Sequence, residues 1–125
     1  MNEYYEKVKD FQHRFGTPVA ERPQFMPTER ALKRYVWMKE EIDEFLEAGD
    51  IYEQADAMID LIYFAIGTMV EIGVRPQEIF DIVHMANMSK LWKDGKPHYK
   101  PDGKVMKSPD WVDPKPLVKD AIDRM

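Results

Sequence analysis

The chain has 125 residues, of which 44% are hydrophobic and 12% aromatic, and this composition excludes wholesale disorder and predicts about one folded domain. It contains no cysteine, which excludes disulfides, a thiol nucleophile and a cysteine-based zinc site and is consistent with a cytoplasmic protein. The net charge of −5 argues against nucleic acid as the main partner, and the lack of a signal pattern or long apolar run argues against a membrane.

Apolar residues at helical spacing predict three helices in the first part of the chain, over about residues 3–15, 28–48 and 51–72. Gly16 suits the end of the first helix, and Thr28 and Asp50 are the expected N-caps of the second and third. Prolines make residues 17–27 an extended linker. Because the connection between the second and third helices is so short, we expect those helices to lie antiparallel.

The second part of the chain changes character after one more helix. Pro76 suits a first helical turn, and the apolar spacing continues to about Trp92. Residues 93–116 are rich in Gly, Pro, Lys and Asp and predict a basic loop or small irregular hairpin. Near the end of this segment, Asp113 is expected to start a short final helix. The expected fold class is all-α, a four-helix bundle-like single domain over residues 1–125 with an irregular basic C-terminal arm.

The third helix contains one unusual charge. Residues 58–70 are apolar or small at every position except Asp60. A helix that is apolar on all sides is expected to be central and buried, where an unpartnered carboxylate is costly. Asp60 therefore needs a cation, a hydrogen-bond network or a raised pKa. A structural aspartate that is hydrogen-bonded to Tyr or Thr across the bundle is the alternative.

Acidic residues cluster on both the second and the third helix. On the second helix, Glu40, Glu41 and Glu44 form the motif EExxE. On the third helix, Glu53, Asp56 and Asp60 are spaced by three and four residues and so share one face. Antiparallel neighbours can bring these acids into one volume, where the carboxylates repel one another. Hard divalent cations relieve that repulsion, and Mg²⁺ prefers oxygen ligands and keeps positions open for water and phosphate. The sequence predicts a magnesium-type site.

Two other interpretations of these acids remain open at this stage. EExxE occurs commonly as a solvated helix face without any metal. A di-iron bundle would require two Glu-x-x-His pairs, and only the segment from Asp81 to His84 comes close to one.

A lysine-rich segment follows the acidic one. Asn87 and Lys90 lie on the predicted fourth helix, where they adjoin the core, and further lysines, among them Lys104 and Lys107, extend into the loop. A metal site together with ammonium groups suits an anionic phosphate ester. For most of these lysines a solubilising loop is the alternative, and the loop aromatics Trp92, Tyr99 and Trp111 are more often anchors than base-stacking groups.

Taken together, these segments resemble a known family. FQHRFG with PxxxRPQF, EEIDEF, ADAMIDLIYFAIGT, VHMANMSKLWKDGK and DGKVMKSPDW, in this order, are similar to the all-α nucleoside triphosphate pyrophosphohydrolases, which include MazG, phosphoribosyl-ATP pyrophosphohydrolase and dimeric dUTPase-like proteins. The likeness is to the small single-domain MazG-like branch. The departure is at Ala57, where the E-x-x-D half of the family signature would place Glu if its Asp is Asp60. Either Asp56 replaces the missing ligand, or the signature shifts back to run from Glu53 to Asp56 with Asp60 as a supplementary ligand. We prefer Asp56 with Asp60, and Glu53 is the third choice.

The resemblance implies hydrolysis of a nucleoside triphosphate between the α and β phosphates, giving a monophosphate and pyrophosphate, with nucleotide-pool house-cleaning as the role. It implies Mg²⁺, or Mn²⁺ as a substitute, and a homodimer or homotetramer. The residues that it places at the metal are Glu40, Glu41, Glu44, Asp56 and Asp60.

Within that site the resemblance makes Glu41 or Glu44 the catalytic base. It makes Asn87, Lys90, Lys104 and Lys107 the substrate-binding residues. The base and sugar of the substrate do not follow from the sequence. The alternative function is a non-catalytic helical dimer that binds a nucleotide or a protein partner through the basic arm.

Overall fold

The computed structural model describes all 125 residues and contains five helices and one small hairpin. The elements in chain order are α1 (Asn2–Phe15), α2 (Thr28–Glu47), α3 (Ile51–Ile72), α4 (Pro76–Met88), β1 (His98–Tyr99), β2 (Val105–Met106) and α5 (Pro114–Asp123). The expected all-α class is confirmed. No single helix is long and apolar enough to cross a membrane.

The chain divides into two compact units, residues 1–76 and residues 77–125. The first unit contains α1, α2 and α3, and the second contains nearly all of α4, the hairpin and α5. Three of the four helices of the expected bundle therefore lie in the first unit. The single domain over residues 1–125 stays a prediction.

The core of the first unit is built around α3, which packs against both α2 and α1. Ile66 and Val70, one turn apart on α3, pack with Tyr5 and Val8 of α1. Val70 is fully buried. The apolar spacing along α1 and α3 thus produces one shared core, and α3 is its central element.

The burial of α3 differs from the expectation of a helix covered on every side. Ala57 and Ile66 are buried, but Ile59 is 60% exposed and Ile62 is 48% exposed. The physical reason is that α1 and α2 cover only two sides of this helix. An apolar strip on its third side remains open to solvent.

A buried polar network ties the three helices and the linker together. Glu71 accepts hydrogen bonds from Arg30 (2.6 Å) and Arg34 (2.8 Å), Arg34 donates to Gln12 (3.2 Å), and Gln12 donates to the carbonyl of Pro18 (2.8 Å). Burial alone would raise the pKa of Glu71, but the bonds from Arg30 and Arg34 outweigh it and lower that pKa. Each member of the network is thus paired, as buried charges require.

The helix ends confirm one expected cap and correct another. Asp50 is the N-cap of α3 and accepts a hydrogen bond from the backbone N–H of Glu53 (2.8 Å), while the Glu53 carboxylate accepts one from the N–H of Gly49 (2.9 Å). Thr28, expected as the N-cap of α2, is instead its first helical residue. Pro27 occupies the cap position and makes no side-chain bond there.

In the second unit α4 ends at Met88, four residues before the expected end at Trp92. The i→i−4 pattern stops there, because the backbone N–H groups of Lys90 and Leu91 donate to carbonyls only three residues before them. Ser89 bonds both within the helix and beyond it. Its hydroxyl donates to the carbonyl of Ala86 (2.6 Å), and its own carbonyl accepts a hydrogen bond from Ser108 (2.7 Å), so that carbonyl is engaged outside the helix.

The expected loop or small hairpin is a hairpin in which β1 and β2 pair antiparallel. The expected final helix is also present, because Asp113 caps α5 by accepting a hydrogen bond from the N–H of Lys115 (3.0 Å).

Candidate functional site

Helices α2 and α3 bring three carboxylates together. Glu41, Glu44 and Asp60 each offer one oxygen, and these oxygens all lie within 4.8 Å of one another. Glu41 and Glu44 are one turn apart on α2, and Asp60 faces them from the packed neighbour α3. The arrangement matches the oxygen-rich, acidic character of a hard-cation site.

Glu41 is the member of this cluster whose environment best suits a cation. Its Oε2 atom is buried and has no hydrogen-bond partner. The pKa of Glu41 is raised to about 7, chiefly because burial penalises the charged form and then because of Glu44, Asp60 and Asp56. A buried carboxylate oxygen without a partner is uncommon in native proteins, and a divalent cation would satisfy it. The residues therefore fit a metal ion.

Asp60 lies half-buried between the apolar positions of α3. Burial raises its pKa, and the charges of Asp56 and Glu44 raise it further. No hydrogen bond from Tyr or Thr reaches it, and the hydroxyl of Thr68 donates instead to the carbonyl of Phe64 (2.8 Å). The alternative of a structural, hydrogen-bonded aspartate is therefore not supported.

Three other acids of the predicted set lie outside this group. Asp56 is exposed, one turn before Asp60, and affects the group through its charge. Glu40 is exposed on α2. Glu53 uses its carboxylate at the start of α3, and Ala57, where the family signature would have Glu, is 2% exposed. The assignment of Asp56 and Glu40 to the metal stays a prediction.

The predicted substrate-binding residues all lie in the second unit. Asn87 is exposed on α4, and Lys90 is half-buried just after it. Lys104 is exposed beside β2, and the ammonium group of Lys107 lies 4.0 Å from the ring centre of Trp111. Their contact with substrate stays a prediction.

The arm aromatics have internal contacts. Trp92 stacks on His98 with ring centres 4.3 Å apart, and its indole N–H donates to the carbonyl of Met106 (3.4 Å). These contacts favour the interpretation that Trp92 anchors the hairpin over the interpretation that it stacks on a base.

The sequence reasoning missed a cavity in the first unit. It has a volume of about 210 Å³ and mixes aromatic with polar side chains: Phe11, Gln12, Thr17, Arg34, Trp37, Tyr63 and Phe64. Trp37 is one helical turn before Glu41, and Phe64 is one turn after Asp60. Aromatic residues four positions from Glu41 and from Asp60 are the signal that could have predicted this cavity.

Residues 8–87, more than half of the chain, match the phosphoribosyl-ATP pyrophosphohydrolase family. The chain belongs to this family. The matched segment contains all three clustered carboxylates and every residue that lines the aromatic cavity. The resemblance to the all-α nucleoside triphosphate pyrophosphohydrolases is thereby confirmed.

A solved structure supports the same family. The chain is similar to a protein from Exiguobacterium sp. 255-15 that is described as a candidate NTP pyrophosphohydrolase, with 30% sequence identity and a TM-score of 0.55. The match covers 97% of this chain and 94% of that one. Among curated proteins, none matches this chain. At the level of the family, the chain is a pyrophosphohydrolase.

Proposed function

We propose that the protein hydrolyses a nucleoside triphosphate between the α and β phosphates, with Mg²⁺ as the cofactor, and releases a nucleoside monophosphate and pyrophosphate. The observation that carries this proposal is the buried, unpartnered Oε2 of Glu41 within the group that it forms with Glu44 and Asp60. Family membership supports the reaction class, and the geometry supports the cofactor.

Glu41, Glu44 and Asp60 would hold the cation, with Asp56 and Glu40 as the further predicted ligands. When bound, Mg²⁺, or Mn²⁺ in its place, polarises the phosphate oxygens and lowers the pKa of a bound water. Together these carboxylates have more oxygen atoms than one Mg²⁺ ion has coordination positions. One carboxylate oxygen therefore remains free to accept a proton.

Glu41 is the better placed of the two predicted bases. It is the more buried of the two, and in the metal-free protein burial and the neighbouring acids raise its pKa to about 7, which favours proton uptake by its carboxylate. In this role the Glu41 carboxylate accepts a proton from the attacking water, the water oxygen bonds to the α phosphorus, and pyrophosphate leaves. Glu44 is more exposed and would chiefly bind and orient.

On the substrate side, Lys90, Lys104 and Lys107 would neutralise phosphate charge, and Asn87 would contact the sugar or a phosphate. House-cleaning of a nucleotide pool is the role that we propose for this activity, and the cytoplasmic location stays a prediction.

The direct test is to incubate the protein with a panel of nucleoside triphosphates, with and without Mg²⁺, and to measure pyrophosphate. We expect metal-dependent pyrophosphate release that Asp60→Asn abolishes. Asp43→Asn is the matched control, since Asp43 is on α2 but pairs with Lys39 at the surface, and it should keep activity. Orthophosphate as the only product would contradict the proposed bond cleavage. Metal-independent binding without turnover would instead indicate the non-catalytic binder.

We also propose that the protein is a homodimer, or a homotetramer built from such dimers. The exposed apolar strip of α3 is the supporting observation, because Ile59 and Ile62 there border a groove of about 310 Å³ against α1. Contiguous apolar surface of this kind marks interaction sites, and a second copy of the chain is the partner that we propose.

A further inference from the structure

The aromatic cavity beside the carboxylates has the composition of a site for a flat ring. Its volume of about 210 Å³ is below the roughly 300–1,000 Å³ of pockets that enclose a whole ligand. Trp37 and Phe64 stack on each other with ring centres 5.9 Å apart and form an aromatic wall of this cavity. The guanidinium carbon of Arg34 lies 5.3 Å from the Trp37 ring centre, and a flat ring can pack against the edge of this group. It fits one heterocyclic base better than a complete nucleotide.

The direction of such a base follows from the order of residues on α2. Trp37 is one turn before Glu41, and Arg34 is seven residues before it, a rise of about 10 Å along the helix. If the carboxylates and their cation hold the phosphates, the base extends from them along α2, past Trp37. The edge of the base that is most distant from the phosphates then lies against Arg34. That far edge carries the exocyclic group at position 4 of a pyrimidine or position 6 of a purine.

Arg34 is held in one orientation by its neighbours. The residue is 3% exposed, its Nε donates to Glu71 (2.8 Å) and its Nη2 donates to Gln12 (3.2 Å). Its Nη1 makes neither of these hydrogen bonds, and because Glu41 Oε2 is the one buried side-chain atom left without a partner, Nη1 retains some solvent access. Arg34 lines the cavity, so Nη1 is the nitrogen of its guanidinium that is left to bind a ligand there.

Gly67 leaves the space that this orientation needs. A Cβ at position 67 would lie 2.9 Å from Nη1 of Arg34 and 2.5 Å from Oε1 of Gln12. The oxygen of Gln12 accepts from Arg34, and its amide nitrogen donates to Pro18. The hydroxyls of Thr17 and Tyr63, which also line the cavity, can either donate or accept and so impose no preference.

We propose that Nη1 of Arg34 donates a hydrogen bond to an exocyclic carbonyl oxygen of the base, so that nucleotides with keto bases are preferred over those with amino bases. Keto bases are uracil, thymine, guanine and hypoxanthine, and amino bases are cytosine and adenine. An amino group at that edge sets a donor against a donor and leaves both unpaired in a buried site. This inference rests on the proposed function, because the position of the phosphates sets the direction of the base.

The test compares nucleotides that differ at this edge, UTP with CTP and ITP with ATP, in the Mg²⁺-loaded full-length protein. We expect kcat/KM to favour the keto member of each pair by roughly 10- to 100-fold, the worth of one hydrogen bond to a charged group. Arg34→Lys should bring both ratios towards one. Arg30→Lys is the matched control, because Arg30 also binds Glu71 but does not line the cavity, and it should keep the ratios.

Two further measurements keep the outcome interpretable. Gly67→Ala, which crowds Nη1 without removing a charge, should also reduce both ratios, and it replaces Arg34→Lys if that variant does not fold. Binding of α,β-methylene analogues of the four nucleotides, measured by calorimetry, reports the base preference without hydrolysis.

The outcomes separate the two proposals. Hydrolysis with equal rates for keto and amino bases overturns the role of Arg34 and leaves the proposed function intact. A keto preference in analogue binding without any hydrolysis overturns the proposed function and supports Arg34. Neither hydrolysis nor binding of any of the four nucleotides overturns both.

Discussion

Two glutamates at the interface of α2 and α3 have opposite environments. Glu71 receives hydrogen bonds from Arg30 and Arg34, which outweigh the effect of burial and lower its pKa. Glu41 has acidic neighbours and a buried oxygen without a partner, and its pKa is raised. The first is satisfied within the fold, whereas the second is left for a ligand. This difference in partners is the reason that we propose Glu41, and not Glu71, as a metal ligand.

For Glu41 we expect a stability cost in the metal-free protein at neutral pH. A folded-state pKa raised from 4.5 to about 7 means that stability is fully present below pH 4.5 and falls as pH rises through 7, by at most about 3 kcal/mol. Glu41→Gln should reduce that fall, because the amide does not titrate, and the part that remains comes from Asp60, whose pKa is also raised. Urea unfolding with a chelator, from pH 4.5 to 8, measures it.

The same variant should lose the stabilisation that Mg²⁺ gives to the wild type at pH 8, since a ligand oxygen is gone. Asp43→Asn should keep both the pH profile and the metal effect. Unchanged stabilisation by Mg²⁺ in Glu41→Gln would show that this carboxylate is not a ligand.

For Glu71 the sign of the pH effect is reversed. Its folded-state pKa is lowered, so its contribution is present above pH 4.5 and is lost as pH falls through the folded value. Glu71→Gln should lower the free energy of unfolding at pH 7 by about 3–5 kcal/mol, because the guanidinium groups of Arg30 and Arg34 lose their counter-charge. The variant should also lose less stability than the wild type as the pH falls, because the amide does not titrate. Guanidinium chloride unfolding between pH 3 and 7 measures both.

Glu6→Gln is the comparison for this effect. Glu6 pairs with Arg75 at the surface, with both side chains more than half exposed. Its loss should cost less than about 1 kcal/mol. Equal costs for Glu6→Gln and Glu71→Gln would contradict the importance of the buried network.

At the scale of helices, α1 and α3 end in the same way but in different surroundings. Gly16 and Gly73 both adopt left-handed backbone conformations, with φ of 70° and 72°. A Cβ at Gly16 would meet nothing within 4 Å, whereas a Cβ at Gly73 would collide with the backbone carbonyl of Arg22 in the linker. Helix termination needs glycine at both ends, but only the end of α3 also needs it for packing.

We therefore expect Gly16→Ala to cost about 1–2 kcal/mol, the penalty of the left-handed conformation alone. Gly73→Ala should cost clearly more, because the linker backbone must also move. Thermal and urea unfolding of the two variants compare them directly. Similar losses would mean that the linker moves away from α3 at little cost.

At the scale of the whole molecule, the open apolar side of α3 bears on assembly. Tyr4 of α1 and Ile59 and Ile62 of α3 are about half exposed or more, and all three border the groove between these helices. Burial of such a surface against a second copy would remove apolar area from water, which is the main driving force for association. The proposed homodimer would use this face.

Ile59→Glu should accordingly shift the protein towards monomer, because a charge would be buried at the centre of the proposed interface. Sedimentation equilibrium across protein concentrations measures the shift. Phe25→Glu is the control, since Phe25 is 93% exposed in the linker and does not line the groove. A monomeric wild type, or equal effects of the two variants, would contradict this interface.

The sequence by itself determined the helices, the Asp50 cap and the carboxylates of α2 and α3, because helical periodicity, capping and i, i+4 spacing act over a few residues. It also singled out Asp60, since one charge in an apolar run is a local signal. It placed the end of α4 too late, because the apolar spacing continues past Met88 although the backbone N–H of Trp92 donates forward to the carbonyl of Lys96 in the loop.

Only the tertiary structure decided which acids meet, how Glu71 is neutralised and where the aromatic cavity lies. Asp60 joins Glu41 and Glu44 while Glu53 caps its own helix, a choice that depends on how α2 and α3 pack. Gln12, Arg34 and Glu71 are far apart in the chain and meet only in the folded core. No local pattern encodes such contacts, because their energy arises only when burial removes the competing water.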